Sequence, residues 1–180
     1  MDSKKIYGKR ILLRRLSEDD IENGYYEWFN DPITTSNNSH GESKLTKEDA
    51  FEFLKKTSEN ESIEHFSVVS LDNNLHIGCC SLQKIDKKNK SCEMARIIGH
   101  KDYRGIGLGT EIGELLLKFG FNELNLNRIW VGNFVTNIAA INSIKKLGFT
   151  PEGVLREYAY KSNAYHDVMI SSILKSEYKG

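Results

Sequence analysis

Arg104-Gly105-Ile106-Gly107-Leu108-Gly109-Thr110 sets three glycines at alternate positions behind an arginine. An apolar, strand-like run, Met94-Ala95-Arg96-Ile97-Ile98-Gly99, comes just before it. Just after it, Ile112, Leu115, Leu116 and Phe119 recur at the spacing of one buried helical face. Glycine lets a backbone take positive φ and approach a ligand closely. A glycine loop that opens a helix therefore presents free N–H groups where the helix dipole also favours negative charge. The predicted unit is strand, anion-binding loop, helix, and its natural guest is a phosphate or pyrophosphate.

The rest of the chain has to build a fold around that unit. At 180 residues, with 39% hydrophobic and 28% charged side chains, it has the size and balance of one globular domain, residues 1–180. Basic and acidic side chains number 25 each, so the net charge is zero and a general nucleic-acid partner is disfavoured. No run has the length of a membrane span, and Met1-Asp2-Ser3-Lys4-Lys5 opens no apolar stretch of signal-peptide type. The expectation is a cytoplasmic protein without a membrane partner. Five histidines and three cysteines show no metal-ligand spacing, so no metal is expected. Cys79 and Cys80 should face opposite sides of a strand as buried free thiols. Lys84 to Lys90 reads as a solvated turn between two strands.

The periodicities predict a first strand over residues 8–16. A helix follows from Ser17 to about Phe29, weakened by Gly24. A polar loop covers residues 30–45, and Thr46 caps a helix to about Ser58. Strands are predicted at Ile63 to Leu71, Leu75 to Lys84 and Cys92 to Ile98. After the glycine loop come a helix over 108–124, a strand from Arg128 to Val135, a helix over 137–147, and a closing hairpin at 153–160 and 165–174. This is an α/β (α+β) order that a central mixed, mostly antiparallel sheet with helices on both faces would satisfy.

Three phosphate loops compete for the glycine run. The lysine P-loop needs a Lys that does not follow Gly109, and the dinucleotide fingerprint needs G-x-G-x-x-G near a first strand. Arg104-Gly105-Ile106-Gly107-Leu108-Gly109 instead resembles, without a gap, the coenzyme A pyrophosphate loop of the GCN5-related N-acetyltransferases (GNAT superfamily). The segment from Asn137 to Leu147-Gly148-Phe149 is similar to the second half of that fold. Pro151-Glu152-Gly153-Val154-Leu155-Arg156, Gly8 to Arg14 and Trp28-Phe29-Asn30-Asp31-Pro32 resemble its RimJ/RimL-like branch. The resemblance implies a single GNAT domain, acetyl-CoA as co-substrate, and acetyl transfer by direct attack of a primary amine on the thioester. It also implies cofactor contacts from Ile97, Ile98, Gly99, Arg104, Gly105, Ile106, Gly107, Leu108, Gly109, Thr110 and Asn137. The acceptor would be a small-molecule or peptide amine such as a protein N-terminus or an amino sugar. A homodimer is compatible with the resemblance.

Such a reaction needs a base for the ammonium, a backbone donor for the oxyanion and little help for the thiolate. Glu93, on the strand leading into the loop, is the candidate base. Burial beside Met94 and Ile97 would raise its pKa. The competing reading is a strand glutamate that pairs with a nearby Arg or faces water. The N–H of Ile98 or Gly99 is the candidate donor. Where many relatives carry a Tyr general acid this chain has Ile144, and where some carry Ser it has Ala140. Tyr158 and Tyr160 are the substitutes at hand. These vacancies support the alternative of an acyl-CoA-binding protein with little catalysis. Tyr25, Trp28, Asn30 and Asp31, with His40, are the candidates for the acceptor site. Core packing is the competing role for Tyr25 and Trp28, and capping and turn formation for Asn30 and Asp31.

Overall fold

The computed structural model describes residues 4–180, so Met1, Asp2 and Ser3 of the N-terminal stretch lie outside it. One eight-stranded sheet runs through the molecule in the order β1-β2-β3-β4-β5-β6-β8-β7. Its strands are β1 Lys5–Tyr7, β2 Ile11–Arg15, β3 Glu64–Ser70, β4 His76–Asp86, β5 Ser91–Ile98, β6 Arg128–Phe134, β7 Thr150–Lys161 and β8 Ala164–Leu174. Every neighbouring pair is antiparallel except β5 and β6, which are parallel. Helices α1 Glu18–Glu22, α2 Pro32–Thr35 and α3 Lys47–Ser58 precede β3; α4 Leu108–Lys118 and α5 Ile138–Lys146 flank β6. Among the described residues no helix is long and apolar enough to cross a membrane.

Two apolar clusters lie on opposite faces of the sheet. The larger gathers Phe66, Leu82 and Ile129 from the strands under Ile112, Leu116 and Phe119, all fully buried, with Ile144 of α5. Phe66 and Phe119 meet edge to face at 5.4 Å between ring centres. The smaller joins Ile21, Tyr25, Phe29 and Ala50 to Cys79. Cys80 belongs to the larger cluster and Cys79 to the smaller, as strand alternation requires, and all three thiols are buried and free.

One strand was not expected, and one expected element is broken at a glycine. The strand expected over 8–16 is β2, and β1 precedes it across a reversal at Gly8, whose N–H donates to the Ile11 carbonyl at 2.8 Å. The first helix stops at Glu22, and Tyr25–Phe29 continues as a 3-10 turn entered through Gly24 at φ 93°. The helix after the loop ends at Lys118 and passes into a π-turn, Phe119–Glu123. The polar loop over 30–45 contains the short α2, capped by Asp31.

The smaller cluster is anchored by a buried carboxylate. Asp20, 2% exposed, receives both terminal nitrogens of Arg14 at 2.6 Å, the Ser67 hydroxyl at 2.7 Å and the Ser17 N–H at 2.9 Å. Burial alone would raise its pKa; the Arg14 pairing, with His76 and the hydrogen bonds, outweighs burial and holds it at about 2. A carboxyl depressed in the folded state stabilises the fold above its ordinary pKa, and that contribution is lost as pH falls through about 2. It is on the order of 2 kcal/mol at neutral pH. Asp20→Asn should cost about 3 kcal/mol at pH 7, because it leaves Arg14 half-buried without a counter-charge. Urea unfolding at pH 7 and pH 3 should show the gap between the two proteins narrowing in acid.

Candidate active site

The sheet opens where its one parallel pair ends. β5 and β6 pair at Ser91 with Arg128, Cys92 with Ile129 and Glu93 with Trp130, and no further. Beyond that point β5 runs on to Ile98 and β6 to Phe134, so the two strands splay. The gap is part of a cavity of about 600 Å³ walled by Glu93 to Ile98, Trp130 to Phe134, Asn137 and Ala140, and by Ile33, Thr34 and Ser36 to His40. Glu93 sits at the apex, at the last paired position.

The glycine loop lies at the start of α4. Gly105 and Gly107 take φ of 76° and 84°, the left-handed region where a side chain is strained, and Gly107 is the N-cap of α4. The N–H groups of Gly105, Ile106, Gly107, Leu108 and Gly109 donate to no acceptor among the described residues. Arg10 braces the loop from below. Its N–H and Nε bind Glu111 at 2.7 and 2.8 Å, and Nη1 binds the Ile106 carbonyl at 3.0 Å, which turns that carbonyl away from the N–H side. Five unpaired N–H groups at a helix N-terminus form a concave donor surface for an anion. The N-terminal turn of α4 is tied to α5 and β5 through Thr110 Oγ1 and Ser143 Oγ at 3.1 Å and through Arg96, which binds the Gly109 carbonyl and Ser143.

The Arg104 side chain turns away from the loop's N–H groups. Nε donates to the Ile98 carbonyl at 3.2 Å, and Nη2 donates to the Gly99 carbonyl, to Thr34 Oγ1 at 2.6 Å and to Asp31 at 3.3 Å. It pins the end of β5 to the start of α2. Gly99 is also pressed against Trp28: a Cβ there would stand 1.9 Å from a carbon of the indole. Asn137 caps α5 through the Ala140 N–H at 3.1 Å and reaches the Asn37 carbonyl at 3.2 Å, at the cavity wall.

Glu93 lines the cavity with its side chain 16% exposed, and Oε2 lies 2.8 Å from Lys84 Nζ. The ion-pair reading of Glu93 is thus realised, with a lysine partner rather than an arginine, in the cavity that would use it as a base. Lys84 was expected in a solvated turn. β4 instead runs to Asp86 with an irregularity between Gln83 and Asp86, where Lys84 takes φ 53° and swings over Trp130 and Glu93.

The acceptor-side candidates fall elsewhere than expected. Tyr25 is 3% exposed in the smaller cluster, and Trp28 packs on Gly99 and His76. Asn30 binds both backbone groups of Leu45, at 2.7 and 2.8 Å. Asp31 caps α2 through the N–H groups of Ile33 and Thr34, and hydrogen bonds to the Thr34 hydroxyl and α2 N–H groups hold its carboxyl at about 2. None of the four lines the cavity; the neighbouring residues 33–40 do, His40 among them. That segment is held by Lys161, whose buried ammonium donates to the carbonyls of Thr35, Asn38 (2.7 Å) and His40. No sequence signal marks this long-range clamp. Of the two tyrosines, Tyr158 lines the cavity and Tyr160 does not; Ile144 is core.

The start of α4 thus leaves five N–H groups without acceptors among the described residues, close to a cleft in a splayed sheet, an arrangement suited to an anionic ligand. The acetyltransferase (GNAT) domain model matches residues 10–150, and the chain belongs to that family of N-acetyltransferases. An uncharacterized N-acetyltransferase, p20 of Bacillus licheniformis, is 28% identical over 176 residues, covering 97% of this chain and 98% of the relative. The crystal structure of spermidine N-acetyltransferase from Vibrio cholerae in complex with CoA and spermine matches with a TM-score of 0.88 at 25% identity, covering 95% and 99% of the two chains. RimL, a ribosomal L7/L12 alpha-N-protein acetyltransferase solved with CoA, shares the fold at a TM-score of 0.86 and 16% identity, covering 95% and 98%.

Proposed function

We propose that this N-acetyltransferase moves the acetyl group of acetyl-CoA to a primary amine of a small molecule or peptide in the cleft between β5 and β6. The observation that carries the reading is the set of five N–H groups, Gly105 to Gly109, without protein acceptors at the start of α4. They would bind the pyrophosphate, with Thr110 and Asn137 beside it and Ile97 to Gly99 along the cleft. When bound, acetyl-CoA supplies an activated carbonyl and a thiolate that leaves readily, since a thiol pKa is about 8.5.

Glu93 takes the proton from the acceptor ammonium at the apex of the cleft. A backbone N–H of Ile98 or Gly99 donates to the carbonyl oxygen as charge grows on it. Tyr158, the one tyrosine that lines the cavity among the described residues, is the candidate for returning a proton to the sulfur. The alternative of a binding protein without catalysis rested on Ile144 and Ala140 and gains no support from the cavity. The test is release of free CoA thiol from acetyl-CoA with a panel of amines. Acceptor-dependent release above the hydrolytic background is the expected result. Tight acetyl-CoA binding with no acceptor-dependent release would favour the binding protein.

A further inference from the structure

Glu93 is the only acid lining the cavity among the described residues, and it is already paired. The basic side chains on the wall are Lys84 and Arg96. Arg96 turns its guanidinium to Gly109 and Ser143 on the α4 side. His40 brings no negative charge, and the 36–39 segment offers neutral Ser and Asn. The charge that meets an acceptor is therefore one carboxylate with one ammonium 2.8 Å away. Lys84 is not a strand lysine that happens to be long enough. The irregularity in β4 sets it at φ 53°, and its ammonium stands 5.3 Å from the centre of the Trp130 ring.

An acceptor amine must bring its ammonium to Glu93 before it can give up the proton. That places a second cation beside the Lys84 ammonium, with one carboxylate between them. Like charges at such a distance repel, and a polyamine would add further positive charge to a cavity with no other acid to receive it. An acceptor with an anion a few bonds from its amine removes the conflict. Its ammonium takes Glu93, its anion takes Lys84, and the four charges alternate.

We propose that the acceptor is a small zwitterionic amine, its reacting nitrogen held by Glu93 and its carboxylate or phosphate held by Lys84. The proposal rests on the reading of Glu93 as the group that meets the amine. The ammonium gives one proton to Glu93, the freed amine forms the N–C bond, the C–S bond breaks, and the second nitrogen proton goes to the leaving thiolate, directly or by way of a hydroxyl, to release the thiol.

The experiment measures thiol release at saturating acetyl-CoA with pairs of acceptors that differ in the anion alone. Small amino acids are set against their amides, aminoethyl phosphate against ethanolamine, and spermidine stands apart. The zwitterionic member of at least one pair should have a kcat/KM about five- to tenfold above its partner without the anion, and spermidine should fall below both. Whichever pair responds tells carboxylate from phosphate. Lys84→Met should erase the preference by lowering kcat/KM for the zwitterionic member and, with the repelling ammonium gone, raising it for the member that lacks the anion. A preference for spermidine, equal use within every pair, or an equal loss for both members in Lys84→Met would each overturn the zwitterionic acceptor. In those cases Glu93-dependent thiol release would leave the transferase reading standing. No release with any acceptor would overturn both.

Discussion

Glu93→Gln should lower kcat by about 10²–10⁴ with acetyl-CoA affinity near that of the wild type. The substitution keeps the shape of a side chain that is 16% exposed at the apex of the cleft and removes its capacity to accept a proton. It also dissolves the pair with Lys84, but that lysine is 65% exposed, so the cost to folding stays below about 1 kcal/mol. Cofactor binding should hold because the unpaired N–H groups lie at Gly105 to Gly109, past the opposite end of β5 from Glu93. The loss in kcat should shrink as pH rises, since more of the acceptor amine is then already deprotonated. A loss that is constant with pH would mean that Glu93 positions the amine without taking its proton. Steady-state kinetics from pH 6 to 10, with acetyl-CoA binding measured in parallel, separates these outcomes.

Gly107→Val should weaken acetyl-CoA binding by about 10²–10³. The cause is backbone conformation, since the space is open: a Cβ at Gly107 would meet nothing closer than an Arg10 nitrogen at 3.9 Å. The difficulty is φ 84°, which a β-branched residue avoids. Valine therefore pulls the N-cap of α4 toward negative φ and re-aims the adjacent N–H groups. Loss of two charge-assisted hydrogen bonds, about 1.5–2 kcal/mol each, accounts for the factor. Gly107→Asn should lose much less, because asparagine tolerates the left-handed region. Titration calorimetry on the three proteins checks the order glycine, asparagine, valine. Equal losses for asparagine and valine would point to crowding of the site.

Local signals made much of this molecule legible. Thr46 and Asp49 form the capping box that starts α3, and the loop from Arg104 to Thr110 carries two of its three glycines, Gly105 and Gly107, where the backbone takes positive φ. Cys79 and Cys80 divide between the two clusters by strand alternation alone. The first helix broke at Gly24, where a single residue overrides an apolar period that continues across it, and β1, ahead of Gly8, is too short to show a period.

The acceptor side was less legible because distant contacts build it. Tyr25 and Trp28 are aromatics at helical spacing, and packing against His65, His76 and Gly99 keeps them off the cavity. Asn30 and Asp31 spend their side chains on Leu45 and on α2. What lines the cavity instead is the 33–40 segment, held by an ammonium more than a hundred residues away at Lys161. Lys84 reaches Glu93 through an irregular strand that no pattern of charge announces.

The central claim is that the backbone of Gly105 to Gly109 holds the pyrophosphate of acetyl-CoA. Its most direct test is an amide nuclear magnetic resonance titration of the ¹⁵N-labelled protein with acetyl-CoA. The account predicts that the N–H signals of Gly105, Gly107 and Gly109 move downfield and become protected from exchange, as donors that gain an anionic acceptor. Signals of Gly105 to Gly109 that stay in place while acetyl-CoA saturates another surface would contradict it.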